Sequence, residues 1–242
     1  VVGGGVTGLM AATLLAKGPH GDALDITLVD AAPRPVFSPA SDVALRVSAI
    51  ATGTARLFAS VGAWEYAAAT RVSPYTSMRI WDARDTLESA AALRFDADEF
   101  AIPQLGFIVE NVLLQDVLLY QLDRTDVTLK FSSPIARLRR SARHYELDLE
   151  SGESLTADLV IGADGARSFV RSAVGIETNE WPYEQTAFVT HLHPEKPHGG
   201  AALQRFLRDG PLGILPLQDG RVSVVWSTTP DQAEAALAAD DE

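Results

Sequence analysis

Apolar and polar positions alternate along this chain with a period that changes several times, and each change marks an element. Val1-Val2 reads as the end of a strand, and Leu9, Met10, Thr13, Leu14 and Lys17 then recur at helical spacing, which predicts a helix from Val6 to Lys17. Asp25 to Asp30 reads as a second strand. The Pro-rich stretch Ala31 to Asp42, with Pro33, Pro35 and Pro39, reads as a loop long enough to drape over a ligand. Thr52 is placed to cap a helix whose apolar face takes in Ala55, Leu57, Phe58 and Val61 and which Gly62 closes. Ala63 to Thr70 continues as a short helix. Met78 to Asp82 and Leu93 to Phe95 then read as strands, and Ile102 to Glu110 as mixed loop and strand. Asn111 opens a helix through Leu122 that carries Leu114, Val117 and Leu118, and Val127 to Phe131 follows as a parallel-sheet strand.

The second half is richer in strands. Tyr145, Leu147 and Leu149 alternate strictly with Glu146, Asp148 and Glu150, the pattern of a half-buried antiparallel strand, and Ser151-Gly152 makes its turn. Leu159-Val160-Ile161 is continuously apolar, as expected of a parallel strand buried on both faces. Beyond Trp181-Pro182 the chain reads as strands at Thr186–His193, Ala201–Leu207 and Val222–Ser227, with turns at Gly210-Pro211 and Asp219-Gly220. Such a run after α/β units suggests an antiparallel layer rather than further winding. The four tryptophans are scattered and are expected to pack in cores.

Bulk properties narrow the chemistry. A net charge of −12 argues against nucleic acid or an anionic membrane surface as a partner of this portion. The absence of cysteine removes disulfides, thiolate nucleophiles and Cys-based metal sites, and is compatible with a reducing cytoplasm. No apolar run approaches the roughly 18 residues that span a bilayer. His191 and His193 alternate onto one strand face, but no third ligand stands at recognisable spacing, so no metal is expected. The chain opens without Met near the end of a strand and stops at Asp240-Asp241-Glu242 after an Ala-rich helical stretch, so it reads as a fragment.

The chemistry-bearing stretch is the beginning. Gly3-Gly4-Gly5-Val6-Thr7-Gly8 supplies Gly-x-Gly-x-x-Gly between a strand and a helix. Gly3 turns the chain out of the strand, Gly5 lets a pyrophosphate approach the backbone, and Gly8 lets the helix pack closely. The helix N-terminus then offers free N–H groups to phosphate. Asp30 ends the second strand 22 residues after Gly8, where a dinucleotide fold places the acid for a ribose hydroxyl. This fingerprint does not separate NAD from FAD. Arg46 is either a solvated surface arginine or, lying between the glycine loop and a helix, a phosphate contact. A second small-residue turn, Gly162-Ala163-Asp164-Gly165, follows Ile161, and there Asp164 can accept from a sugar hydroxyl or cap the next helix. Arg167 and Arg171 are expected i, i+4 on one face of that helix.

These motifs carry a resemblance. Gly3-x-Gly5-x-x-Gly8, Arg46-Val47-Ser48-Ala49-Ile50, Leu105-Gly106-Phe107-Ile108-Val109-Glu110-Asn111, Gly162-Ala163-Asp164-Gly165 with Ser168 and Arg171, and Gly210 to Leu217 together resemble the FAD-dependent aromatic hydroxylases of the p-hydroxybenzoate hydroxylase fold. His198 followed by Ala202, Gln204, Arg205 and Phe206 adds to the likeness, which is strongest to the ubiquinone-biosynthesis (UbiH-type) branch. Two departures are Asp30, where the family usually has Glu, and Val112, where it often has Arg.

The resemblance implies an α/β fold: a Rossmann-like FAD/NAD(P)-binding domain, residues 1–72 and 97–180, interleaved with an incomplete strand-rich substrate domain, residues 73–96 and 181–242. It implies that Gly3, Gly5 and Gly8 hold the FAD pyrophosphate and Asp30 the adenosine ribose, and that Arg46 lies along the nucleotide. Asn111 and Gln115 would open the helix that contacts the cofactor, and Asp164 and Gly165 would sit between FAD and NAD(P)H, with Arg171 nearby. A third family motif that holds the flavin ribityl chain is expected beyond residue 242. The implied reaction is ring hydroxylation of a prenylated phenol by a flavin hydroperoxide, with no catalytic residue singled out. The implied setting is a ubiquinone-biosynthesis complex, cytoplasmic and peripheral to the inner membrane. A halogenase or prenyl reductase on the same fold, and a non-catalytic remnant, stay open as alternatives.

Overall fold

The computed structural model describes residues 1–238, so the acidic end Asp240-Asp241-Glu242 lies outside the described residues. In chain order the elements are α1 (Val6–Lys17), β1 (Thr27–Val29), β2 (Val47–Ala51), α2 (Thr52–Ser60), α3 (Trp64–Arg71), β3 (Val72–Tyr75), β4 (Ser77–Asp82), β5 (Leu93–Asp96) and β6 (Gly106–Glu110). There follow α4 (Asn111–Leu122), β7 (Thr128–Lys130), β8 (Ile135–Arg140), β9 (Tyr145–Leu149), β10 (Ser154–Ala157) and α5 (Phe169–Ala173). The last are β11 (Thr186–Leu192), β12 (Ala201–Leu207), β13 (Gly210–Pro216), β14 (Val222–Thr228) and α6 (Pro230–Ala238). The fold is mixed α/β, and the contacts divide it into two compact units.

The first unit comprises Val1–Ser41, Leu57–Ala67 and Val112–Asn179. Its parallel layer runs in the order β7, β1, Val2, Gly162: β1 pairs with β7, and Val2 bridges Val29 on one side and Gly162 on the other. Placing the chain's first strand at the centre, with later strands on both sides, is the doubly wound arrangement that leaves a ligand crevice at the strands' carboxyl ends. The continuous apolar run at 159–161 behaves differently from its expectation, because Leu159 is 70% exposed. The ladder to Val2 engages Ile161 and Ala163, whose carbonyl and N–H meet the Val2 N–H and carbonyl at 2.9 and 2.7 Å. Leu159 therefore lies ahead of its partner strand.

The meander forms as the alternation requires. β9 pairs antiparallel with both β8 and β10 and buries Leu147 and Leu149, while Glu146 and Asp148 stay half-exposed. Leu147 packs with Val2 and Val170, joined by Ile135, Leu138, Tyr145, Leu155 and Val160. α4 buries Leu113, Leu114, Val117, Leu118, Leu119 and Leu122, more than one stripe, as a helix enclosed by protein does. In α2, Ala55 and Phe58 are buried as expected, but Leu57 is exposed.

The second unit comprises 42–56, 68–111 and 180–242, of which 180–238 are described. One antiparallel sheet runs β2-β6-β3, and a six-stranded sheet runs β11-β14-β13-β12-β4-β5. β3 was not readable from the chain because it contains Pro74, which weakens a strand reading; it sits at the sheet edge, where proline is tolerated. The expected antiparallel layer forms, yet β12 also pairs in parallel with β4, which draws in an earlier strand. The turn expected at Gly210-Pro211 lies two residues earlier. Leu207 pairs with Gly210 and Phe206 with Pro211, so both turn residues belong to β13. Trp181 is 65% exposed and does not enter a core.

Candidate functional site

The glycine loop leaves the central strand at Gly3, whose N–H donates to the Val29 carbonyl at 2.8 Å. Gly3 has φ +111°, and a Cβ there would lie 2.3 Å from the Ala163 carbonyl oxygen. Both backbone conformation and space therefore demand glycine. Gly8 closes the other side: a Cβ on it would meet the Gly3 carbonyl oxygen at 1.9 Å and the Ala163 Cβ at 3.3 Å. Gly5, the residue before α1, is the opposite case, since a Cβ there would meet nothing within 4 Å.

That open space faces the start of a 12-residue helix. No side chain caps α1, and its first turn holds no acidic residue. The first helical bond runs from the Leu9 N–H to the Gly5 carbonyl at 3.0 Å, and the N–H groups of Val6, Thr7 and Gly8 have no hydrogen-bond partner among the described residues. Uncapped donors with the positive end of a helix dipole form a seat for an anion.

Asp30 reaches the same loop. Its Oδ2 accepts from the Gly4 N–H and its Oδ1 from the Ala32 N–H at 2.6 Å. Each oxygen keeps a second lone pair, so the carboxylate can still accept a hydroxyl. Gln115, on α4, donates its Nε2–H to the Gly4 carbonyl at 2.9 Å. Gly4 itself was missed from the chain because the fingerprint leaves that position open. A Cβ on Gly4 would lie 2.7 Å from the Phe131 ring and 3.2 Å from Asp30. The triple-glycine run was its sequence signal; Ala163 was marked only as part of the second small-residue turn, and Phe131 gave no signal.

The second turn lies beside the first through Ala163. Asp164 accepts from the Ser168 hydroxyl at 2.5 Å and from the Val170 N–H at 3.1 Å, while Ser168 caps α5 by accepting from the Arg171 N–H at 3.0 Å. Burial works against the charge on Asp164, but the hydrogen bonds from Ser168 and from the backbone of Val170, Asp164 and Phe169 outweigh it and hold its carboxyl below the usual range. Of the two roles open to Asp164, capping is present here. Gly165 is exposed at φ +85° with open space around it. The expected pairing of Arg167 with Arg171 fails. The cap at Ser168 starts α5 at Phe169, which leaves Arg167 in the turn and Arg171 in the helix.

Arg46 and Asn111 belong to the second unit. The Asn111 N–H donates to the Arg46 carbonyl at 3.0 Å, and Ser48 Oγ donates to Asn111 Oδ1 at 2.8 Å. The Arg46 side chain is exposed and has no partner among the described residues. Its segment is held from below by buried Glu110, which accepts from the Ala44 N–H at 2.7 Å and from Arg71 Nε at 2.7 Å. Arg221 also bonds Asp42, whose carboxyl is thereby lowered to about 2. Sequence reading gave no role to Glu110 or Arg221, because their partners Ala44, Arg71 and Asp42 lie in a loop and at a helix end 39 to 179 positions away.

The first unit's open Gly5 and uncapped helix start fit the pyrophosphate of a dinucleotide, and the acid that follows β1 fits a ribose hydroxyl. A family model described as an FAD binding domain matches residues 1–240. Mitochondrial ubiquinone biosynthesis monooxygenase COQ6 of Xenopus tropicalis is 37% identical over 254 aligned positions, which take in 100% of this chain and 53% of that protein. The 3-demethoxyubiquinol 3-hydroxylase of Escherichia coli (strain K12) is 36% identical, across 95% of this chain and 57% of that protein. The chain thus spans about half the length of the curated relatives it matches. Among solved structures, Pseudomonas aeruginosa PqsL in complex with 2-aminobenzoylacetate superposes with a TM-score of 0.79 at 19% identity, over 98% of this chain and 62% of that one. The p-nitrophenol 4-monooxygenase PnpA of Pseudomonas putida DLL-E4 gives 0.74 at 19% identity, over 98% of this chain and 59% of that one, and both likenesses speak to the fold. With its doubly wound sheet, its glycine loop and a family match nearly from end to end, this chain belongs to the FAD-binding domain family on the p-hydroxybenzoate hydroxylase fold.

Proposed function

We propose that the full-length protein containing this chain is an FAD-dependent monooxygenase that hydroxylates an aromatic ring, with a prenylated phenol of ubiquinone biosynthesis as substrate and NAD(P)H as reductant. The observation that carries the reading is the Gly3–Gly8 loop, closed against Ala163 and open at Gly5 before an uncapped helix. The substrate class is supported by the relatives, one named a ubiquinone biosynthesis monooxygenase and the other a 3-demethoxyubiquinol 3-hydroxylase.

In this reading the N–H groups at Gly5 and the first turn of α1 bind the pyrophosphate, and Asp30 accepts an adenosine ribose hydroxyl. Gly3 and Gly8 shape the loop. Arg46, whose guanidinium has no partner among the described residues, offers a charge-assisted contact to the nucleotide, and Asn111 fixes the Arg46 carbonyl. Asp164, Gly165 and Arg171 serve the nicotinamide side. FAD, when bound, supplies the O₂ activation from which one oxygen atom passes to the ring. Residues 1–72 and 97–180 act as the FAD-binding domain in this scheme, and 73–96 with 181–242 as the substrate domain that excludes water. No helix among the described residues is long and apolar enough to cross a membrane. Work in a ubiquinone-biosynthesis complex, cytoplasmic and peripheral to the inner membrane, belongs to the same proposal.

The test is to purify the full-length protein, record its visible spectrum, and supply labelled O₂ with candidate prenylphenols and reductant. A yellow protein that places one labelled oxygen in the ring supports the proposal. A protein that cannot be reconstituted with FAD overturns it, as does halogen incorporation, alkene reduction, or ring oxygen drawn from water.

A further inference from the structure

The Gly4–Gly5 peptide is held more firmly than its motif demands. The Gly4 N–H is taken by Asp30, the Gly4 carbonyl by Gln115 at 2.9 Å, and the missing side chain's place by Phe131. A peptide between two glycines has no Cβ on either side to resist rotation of its plane, so an unheld one can flip cheaply. A trans peptide is planar, with its C=O and N–H pointing in opposite directions. Fixing the Gly4 carbonyl toward α4 therefore turns the Gly5 N–H to the other side, where it has no partner among the described residues. A Cβ on Gly5 would likewise meet only open space.

We infer that Gln115 is a positioning residue for pyrophosphate binding: its amide holds the Gly4–Gly5 peptide in the orientation that leaves the Gly5 N–H free for a phosphate oxygen. One of its two Nε2 hydrogens is held by the loop carbonyl, and through that bond its effect reaches the cofactor at Gly5. The bond that Asp30 accepts from the Gly4 N–H fixes the preceding peptide, and among the described residues the Gly4 carbonyl is held by Gln115 alone. This inference rests on the FAD reading of the glycine loop.

The experiment uses the full-length apoprotein and two probes, FAD and riboflavin, the second lacking phosphate. Gln115→Leu removes the donor, and loss of one neutral hydrogen bond predicts FAD binding weaker by about two- to tenfold. Riboflavin binding should stay at the wild-type value. Gln115→Glu adds a readout that general damage would not give. Ionised, as it is well above the ordinary glutamate pKa of about 4.3, the side chain cannot donate; the half-buried place and the facing Gly4 carbonyl favour the neutral acid, which can. Its FAD affinity relative to wild type should therefore recover as pH falls from 8 toward 5. Should Gln115→Leu fail to fold, the Gln115→Glu series carries the test within one folded variant. Equal losses for FAD and riboflavin, an unchanged FAD affinity, or a pH-independent deficit in Gln115→Glu would each overturn the inference while the wild type still binds FAD. A wild type that binds no FAD removes the cofactor reading itself.

Discussion

A single methyl group at Gly8 tests the loop geometry most sharply, because two opposing terms can be weighed. Alanine is favoured over glycine in a helix by about 1 kcal/mol, so Gly8→Ala at an open position would stabilise the protein. Here the new Cβ would stand 1.9 Å from the Gly3 carbonyl oxygen and 3.0 Å from its carbon, and both are backbone atoms. Reaching ordinary contact requires the helix or the loop to move by about 1.5 Å inside a close-packed layer. Overpacking of that kind costs about 1–3 kcal/mol, and more where the obstacle is rigid. The steric term wins, and the expected net loss is about 1–2 kcal/mol. Gly53 in α2 is the matched control, since a Cβ there meets nothing within 4 Å; Gly53→Ala should stabilise by about 0.5–1 kcal/mol. Gly5→Ala completes the set, with stability unchanged within about 0.5 kcal/mol but FAD binding weakened. Urea unfolding of the full-length apoprotein followed by far-UV circular dichroism measures the first two, and fluorescence titration the third. If Gly8→Ala proves as stable as Gly53→Ala, helix and loop are not in the contact described. If Gly5→Ala binds FAD like wild type, the open space at Gly5 is not the pyrophosphate seat.

Three further outcomes are expected. Glu110→Leu should destabilise the protein by about 3 kcal/mol, since it removes the carboxylate that Arg71 meets in a largely buried place, and Arg71→Met in the same chain should recover part of it; urea melts compare them. His191 is held below its ordinary pKa of 6.5, first by burial and then by Arg221, so below pH 6.5 the unfolded chain binds a proton that the folded chain resists. Stability should therefore fall on acidification from pH 7.5 to 5.5, and His191→Gln should flatten that slope in paired unfolding curves. Asp164→Ala should impair FAD binding and slow flavin reduction, whereas Arg171→Ala should slow reduction by NAD(P)H with FAD retained. Stopped-flow traces at wild-type rates in both would leave Asp164 and Ser168 as a helix cap alone.

The elements themselves were largely written in local spacing. α1 and α4 occupy the residues that their periodicity marks, and the alternation from Tyr145 to Leu149 yields the half-buried β9, because side-chain direction within one helix or strand is set by backbone period. Asp30 at the end of β1 and the open Gly5 were legible for the same reason. What tertiary structure decided is which partners those groups meet. Gly4 needs Phe131, 127 positions away, to explain its missing side chain, and Gln115 is 111 positions from the carbonyl it holds. Pro74 enters a strand because an edge beside β6 forgives its missing N–H, and Pro211 does so because the register sets it opposite Phe206. Arg167 leaves its helix because Asp164 and Ser168 together move the cap to residue 168. Leu159 and Trp181 are exposed although their composition suggests burial, since hydrophobicity favours burial only where the fold supplies a surface to cover. Spacing fixes where a side chain points along its own element; the distance in sequence between contacting groups hides what it points at until the strands are ordered.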